Sequence, residues 1–193
     1  MILGITGGTG CGKTTLLHVI AEQGGLILDC DAIYHQLLAT DAGLLAAIEA
    51  RFPGTVEGGV LQRKKLGSIV FSDEKALLDL NKITHSAGKA EVLRRLETTP
   101  ALAAIDAIAL FEGGLAELCD VTVAVTAPVE ARVKRLMLRD GISEAYARSR
   151  IAAQHDEGWF RQRCRYILEN NGTGIQFHEN CVAFLRELDI IVL

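Results

Sequence analysis

Residues 7–14 read Gly-Gly-Thr-Gly-Cys-Gly-Lys-Thr, and the chemistry open to that arrangement is the capture of a polyphosphate. Glycines let the backbone curl until several N–H groups converge on phosphate oxygens. Lys13 adds a point charge at the β and γ positions, and Thr14 offers a hydroxyl to Mg²⁺. The pattern G-x-x-x-x-G-K-[ST] needs a strand before it and a helix after it. The run Ile2-Leu3-Gly4-Ile5-Thr6 supplies the strand, and apolar residues at Leu16, Leu17, Val19, Ile20 and Ala21 supply helical spacing. A helix starting here aims its first amides and the positive end of its dipole at the phosphates.

Two further constellations turn nucleotide binding into a reaction. Asp29-Cys30-Asp31 follows the second apolar run, where a carboxylate can accept the proton of a hydroxyl that attacks the γ-phosphate. Arg132, Arg135, Arg139, Arg148 and Arg150 crowd one segment, and arginines closing over phosphates neutralise charge on the group in transfer. No N-K-x-D base-reading sequence of the GTPase kind occurs. The expectation is a small-molecule kinase rather than a signalling switch.

These residues need elements to hold them. Apolar runs at residues 2–6, 26–28, 105–111, 121–125 and 190–193 alternate with longer stretches of helical periodicity, the rhythm of parallel strands joined by helical crossovers. A doubly wound, mostly parallel five-stranded sheet is predicted, with ligands beyond the carboxyl ends of its strands. Within one domain of residues 1–193, the core is assigned to about 1–34, 97–128 and 157–193. Residues 35–96, too long for a plain crossover, read as an inserted helical subdomain that sets acceptor specificity, and residues 129–156 as an arginine-rich lid.

The composition excludes several classes. A net charge of −4 argues against a general nucleic-acid or membrane-surface binder. Five scattered cysteines without a C-x-x-C pair suggest neither a disulfide framework nor a zinc site. The N-terminus lacks a basic region before its apolar run, and residues 101–111 are interrupted by Asp106 and too short to span a bilayer. A cytoplasmic protein, monomeric by default, is expected.

The motifs in order resemble the dephospho-CoA kinase family. The resemblance runs through residues 4–15 (Gly-Ile-Thr-Gly-Gly-Thr-Gly-Cys-Gly-Lys-Thr-Thr), Asp29-Cys30-Asp31 with His35, and Arg63, Leu66 and Val70-Phe71. It continues through Ile83-Thr84-His85-Ser86, Leu110-Phe111-Glu112, Arg135 to Gly141, Arg150-Ile151-Ala152-Ala153-Gln154, and Asn170-Asn171-Gly172. It implies a P-loop NTPase fold and transfer of the γ-phosphoryl group of ATP, with Mg²⁺, to the ribose 3′-hydroxyl of dephospho-CoA. It also implies roles. Asp31 is the general base, preferred over Asp29; capping a helix is its alternative role, compatible with catalysis. Lys13 bridges the β- and γ-phosphates, Thr14 holds Mg²⁺, and the amides of Gly8, Thr9, Gly10, Cys11, Gly12, Lys13, Thr14 and Thr15 wrap the phosphates. Arg135 and Arg139 belong to the lid, while Arg132 and Arg148 lie off the motif as solvated helix-face charges. Arg63, His85 and Glu112 fall on the acceptor side, and Asn170 and Gly172 border the adenine.

The chain departs from the family pattern at Cys11 in place of serine, at Ser86 and Ile108 in place of prolines, and at Ala131 and Cys164-Arg165. Cys11 is open to two readings: a small packed side chain, or a thiol made reactive by a helix N-terminus. A P-loop kinase of another small alcohol or nucleoside, or a catalytically weak regulatory paralogue that binds ATP or CoA, is the alternative function.

Overall fold

The computed structural model describes residues 1–98 and 101–191. Its elements run β1 (Ile2–Thr6), α1 (Lys13–Glu22), β2 (Leu26–Asp29), α2 (Cys30–Thr40), α3 (Ala42–Arg51), β3 (Val56–Glu57), β4 (Val60–Leu61), α4 (Arg63–Val70), α5 (Glu74–Leu96) and β5 (Ala103–Asp106). A 3₁₀ turn (Ala116–Leu118) leads to β6 (Val121–Thr126), α6 (Val129–Asp140), α7 (Glu144–Ala152), α8 (Glu157–Arg163), β7 (Tyr166–Glu169) and α9 (Gly174–Glu187). Two compact units result. One comprises Met1–Leu28, Thr99–Leu110 and Leu115–Leu193, the other Asp29–Thr98 and Phe111–Gly114.

The first unit is built on a five-stranded sheet of order β2-β5-β1-β6-β7. β1 lies at its centre, parallel to β5 on one side and to β6 on the other, and β7 runs parallel to β6. Alternation along β1 explains how the strand seats itself. Leu3 and Ile5 are wholly buried in a cluster with Leu16, Val19 and Ile20 of α1, Val123 and Val125 of β6, and Phe177, Cys181 and Leu185 of α9. Each such side chain contributes roughly 1.5–3 kcal/mol on burial. Gly4, between them, faces the opposite layer, where a Cβ would lie 2.7 Å from Cys119 Sγ and 3.0 Å from Leu110.

Two expected strands are corrected. The third was placed at residues 105–111, but β5 ends at Asp106 and the chain turns. Ala107 N–H donates to Ile5 O at 3.1 Å and Thr6 Oγ1 donates to Ile108 O at 3.2 Å. Leu110 owes its hydrophobicity to burial under β1 rather than to a strand. The last was placed at residues 190–193. Ile190 and Ile191 instead form bends that pack against the first unit's core, and Val192 and Leu193 lie outside the described residues. The fifth strand is β7, a four-residue sheet edge.

The second unit is helical. Leu38, Leu44, Ile48, Phe52, Leu66, Val70, Ala76 and Leu80 form its core from α2, α3, α4 and α5. Glu49 closes the loop after α3 by accepting from the backbone N–H of Val56 at 2.7 Å and of Gly54. Arg51 and Asp79 pair α3 with α5 at 2.7 Å.

Candidate nucleotide site

The loop of residues 7–12 joins β1 to α1, and its glycines are where the backbone requires them. Gly12 takes φ 102° as the residue before α1, and a Cβ there would run into Asn170 Nδ2. Gly7, at φ 132°, passes so close to Val125 that a Cβ would collide with its carbonyl. Such conformations are open to glycine and strained for other residues. Because α1 has no side-chain cap at its N-terminus, its first amides stay available to an anionic ligand.

Lys13 arches back over the loop. Its Nζ donates to Gly7 O at 3.1 Å and stands 4.0 Å from Asp106 Oδ1. Asp106 ends β5, the strand beside β1, so it occupies the carboxyl-end position that the displaced strand boundary had given to Glu112. Sequence reasoning missed Asp106 because it reads as an interruption of an apolar run.

The outer wall of the loop comes from α6, Gln154 just beyond α7, and the residue after β7. Arg135 Nη1 donates to Gly10 O (3.1 Å) and Cys11 O (3.3 Å), and its Nη2 donates to Asn170 Oδ1 at 3.1 Å. Asn170, itself buried, donates from Nδ2 to Cys11 O at 2.9 Å. Its amide therefore braces the loop's carbonyls. Within the loop the Thr9 N–H donates to Gln154 Oε1 at 2.9 Å and the Cys11 N–H to Gly8 O at 3.2 Å. Gly172 lies two residues on, exposed beside the Thr173/Gln176 capping box that starts α9.

Arg132 overturns its expected role. It is not a solvated helix-face charge but 8% exposed, with Nε donating to Thr9 O at 2.9 Å and Nη2 to Gln154 Oε1 at 2.8 Å. Gln154 also accepts from Thr9 N–H at 2.9 Å. Gln154 carried no separate role in the sequence, although it closes the motif begun at Arg150. Arg148 does match its expectation: it is exposed and forks onto Glu130 and Glu144 at 2.8 Å each, pairs that solvent screens.

Arg139 stands apart from the loop in this conformation. It is exposed at the end of α6, bonding Asp140 at 2.6 and 3.0 Å, and Arg150 reaches the same carboxylate at 2.9 Å. The Arg139 guanidinium, helped by Arg150, holds the Asp140 carboxyl below the usual carboxylate range. Cys11 is 3% exposed, and burial pushes its thiol up against the opposing pull of Arg132 and Lys13. The reactive-thiol reading of Cys11 is therefore corrected: it is a packed side chain.

The residues expected on the acceptor side belong to the second unit. Asp29 caps α2, its carboxylate accepting from Ala32 N–H at 2.9 Å. Asp31, in the first turn of the same helix, is exposed, so capping falls to Asp29 alone. Arg63 is the first residue of α4 and is exposed; His85 is half-buried on α5; Glu112 is exposed in the turn at 111–114. The departures are accommodated locally. Ser86 lies exposed within an unbroken α5, Ile108 contributes its carbonyl while its side chain is 42% exposed, and Cys164 is buried ahead of β7.

The dephospho-CoA kinase (CoaE) family model matches residues 1–176. A dephospho-CoA kinase of Syntrophotalea carbinolica is 36% identical over 195 residues, covering 97% of this chain and 92% of that protein. The solved structure of a Thermus thermophilus protein superposes with a TM-score of 0.81 at 34% identity, covering 97% of each chain. A dephospho-CoA kinase from Campylobacter jejuni gives 0.68 at 26% identity, over 97% of this chain and 96% of its own. A shikimate kinase from Bacteroides thetaiotaomicron, at 17% identity and a TM-score of 0.59, covers 98% of each chain and shares the fold. With a phosphate-binding loop on a sheet of P-loop kinase architecture and relatives matched along almost its whole length, the chain belongs to the dephospho-CoA kinase family.

Proposed function

We propose that this protein transfers the γ-phosphoryl group of ATP to the 3′-hydroxyl of the ribose of dephospho-CoA, giving coenzyme A and ADP in the last step of coenzyme A synthesis. The observation that carries the reading is the loop itself, with Lys13 arched over it and its carbonyls held by Arg135 and Asn170. A backbone braced in this way presents its amides without reorganising, which is how preorganised donors stabilise developing charge.

On this reading the nucleotide phosphates lie against the loop of residues 8–15, whose Thr9, Cys11 and Thr15 amides already donate to Gln154 Oε1, Gly8 O and Gly12 O while the others receive phosphate oxygens, and Lys13 exchanges Gly7 O and Asp106 for β- and γ-phosphate oxygens. Mg²⁺ takes oxygen ligands and is usually held by one or two protein groups plus the phosphates. The exposed hydroxyl of Thr14 and the carboxylate of Asp106 fit that donor set. When bound, the ion neutralises charge on the transferred group. Asp31 accepts the proton of the ribose hydroxyl as its oxygen attacks phosphorus and the β-phosphate leaves as ADP. Arg139 leaves Asp140 for the γ-phosphate, so residues 129–156 act as the lid. Residues 35–96, with Arg63 and His85, and Glu112 hold the acceptor, and Asn170 and Gly172 border the adenine. The protein acts in the cytoplasm as a monomer, as suits a kinase of soluble metabolites. Among the described residues no helix is long and apolar enough to cross a membrane.

The test is the initial rate of ADP release from Mg²⁺-ATP across a panel of acceptor alcohols. Saturable acceleration by dephospho-CoA, with shikimate and gluconate near the water background, is expected. Equal rates with all three would contradict the assignment.

A further inference from the structure

Arg132 is a buried cation whose hydrogen bonds reach no carboxylate among the described residues. Both of its hydrogen bonds go to neutral acceptors, Thr9 O and Gln154 Oε1. Among the described residues no acidic oxygen lies within 4.0 Å of its nitrogens, and its Nη1 makes no hydrogen bond. Glu157 lines the same cavity of about 30 Å³, beside Gly8, Cys11 and Arg132, but its carboxylate pairs with Arg161. Leaving a charge buried and uncompensated costs free energy that a nearby counter-ion recovers. The guanidinium also lies so close to Gly8 that a Cβ on that residue would collide with Nη2. It therefore sits against a loop whose amides are predicted to receive an anion.

Gln154 fixes this charge in place without cancelling it. Its Oε1 accepts from both Thr9 N–H and Arg132 Nη2, while Arg132 Nε takes Thr9 O. Thr9 is thus gripped by both of its main-chain groups. A glutamate at position 154 could make the same two acceptances and would neutralise the arginine. An amide there keeps the positive potential for something else.

We infer that Arg132, oriented by Gln154, is a phosphate-charge residue of the loop: its counter-ion is the β,γ-polyphosphate of the bound nucleotide. The inference rests on the loop being the ATP site. At the low effective dielectric of a partly buried site, one unit charge within several ångströms changes affinity by about tenfold or more. The effect grows with the number of phosphates that reach the loop. Nucleotide binding then carries a stability increment, since the anion balances a charge that the empty protein leaves bare.

The experiment compares wild type, Gln154→Glu and Arg132→Gln for melting temperature without ligand and for the affinities of ATP, ADP and AMP. Gln154→Glu keeps both acceptances and supplies the missing negative charge. It is expected to hold or raise the melting temperature while weakening ATP and ADP by about tenfold or more and AMP by under about threefold. Arg132→Gln is expected to show the same graded loss of affinity, and a smaller gain in melting temperature on adding ATP. Unchanged ATP affinity in Gln154→Glu would overturn the inference. So would an equal loss for all three nucleotides together with a lower melting temperature, which is the signature of a purely structural clasp. Failure of the wild type to bind ATP would remove the nucleotide reading itself, and the inference with it.

Discussion

At the scale of single residues, Asp29 and Asp31 divide two tasks that the sequence leaves overlapping. Asp29 has extended backbone, and its carboxylate accepts from Ala32 N–H, the geometry of an N-cap. Asp31, two residues into α2's first turn, is exposed and has no cap to form. Asp31→Asn is therefore expected to leave folding and ATP affinity near wild type while kcat falls by about 10²–10⁴-fold, the range of general-base loss. Initial-rate kinetics with calorimetric ATP binding check it, and near-normal kcat would remove Asp31 from the mechanism. Lys13 and the loop glycines were legible because their roles follow from spacing along the chain. Arg132 was not, because its burial is a tertiary fact: nothing in residues 129–140 marks which arginine of α6 turns toward the loop and which, like Arg139, turns away.

At the scale of elements, β1 shows how tightly the loop's support is specified. Leu3 and Ile5 point into one layer and Gly4 backs against Cys119 and Leu110 in the other, so a side chain at position 4 must displace packed neighbours. Gly4→Ala is expected to cost about 1–3 kcal/mol of stability, seen as a lower denaturation midpoint, with KM for ATP unchanged in the folded enzyme because the loop begins three residues later. Unaltered stability would mean that the contact at Gly4 relaxes freely. The strands that sequence placed well each have a turn former at one end: Gly7 after β1, Gly24-Gly25 before β2 and Pro128 shortly after β6. β5 was misplaced because Leu110, buried for packing, extends its apolar run beyond Asp106. β7 was missed because a four-residue edge strand ending in Glu169 carries little periodic signal.

At the scale of the molecule, the chain builds two units with separate cores, one on a parallel sheet and one helical. The doubly wound class was legible from alternating strand and helix patterns, and the family from motifs in order along almost the whole length, as the matches over residues 1–176 and at 36% identity agree. What motif order does not carry is the division of labour within the loop's wall, where Arg132 and Arg135 of α6, Gln154 after α7 and Asn170 after β7 converge. The central claim concerns what the assembled molecule makes. Its most direct test is to incubate the protein with Mg²⁺-ATP and dephospho-CoA, then determine the product's mass and the position of its new phosphate by phosphorus NMR. A product heavier than dephospho-CoA by one phosphoryl group, esterified at the ribose 3′-oxygen and formed in equal amount to ADP, is the predicted result. ADP formed with dephospho-CoA recovered unchanged, or phosphate at another oxygen, would contradict the account.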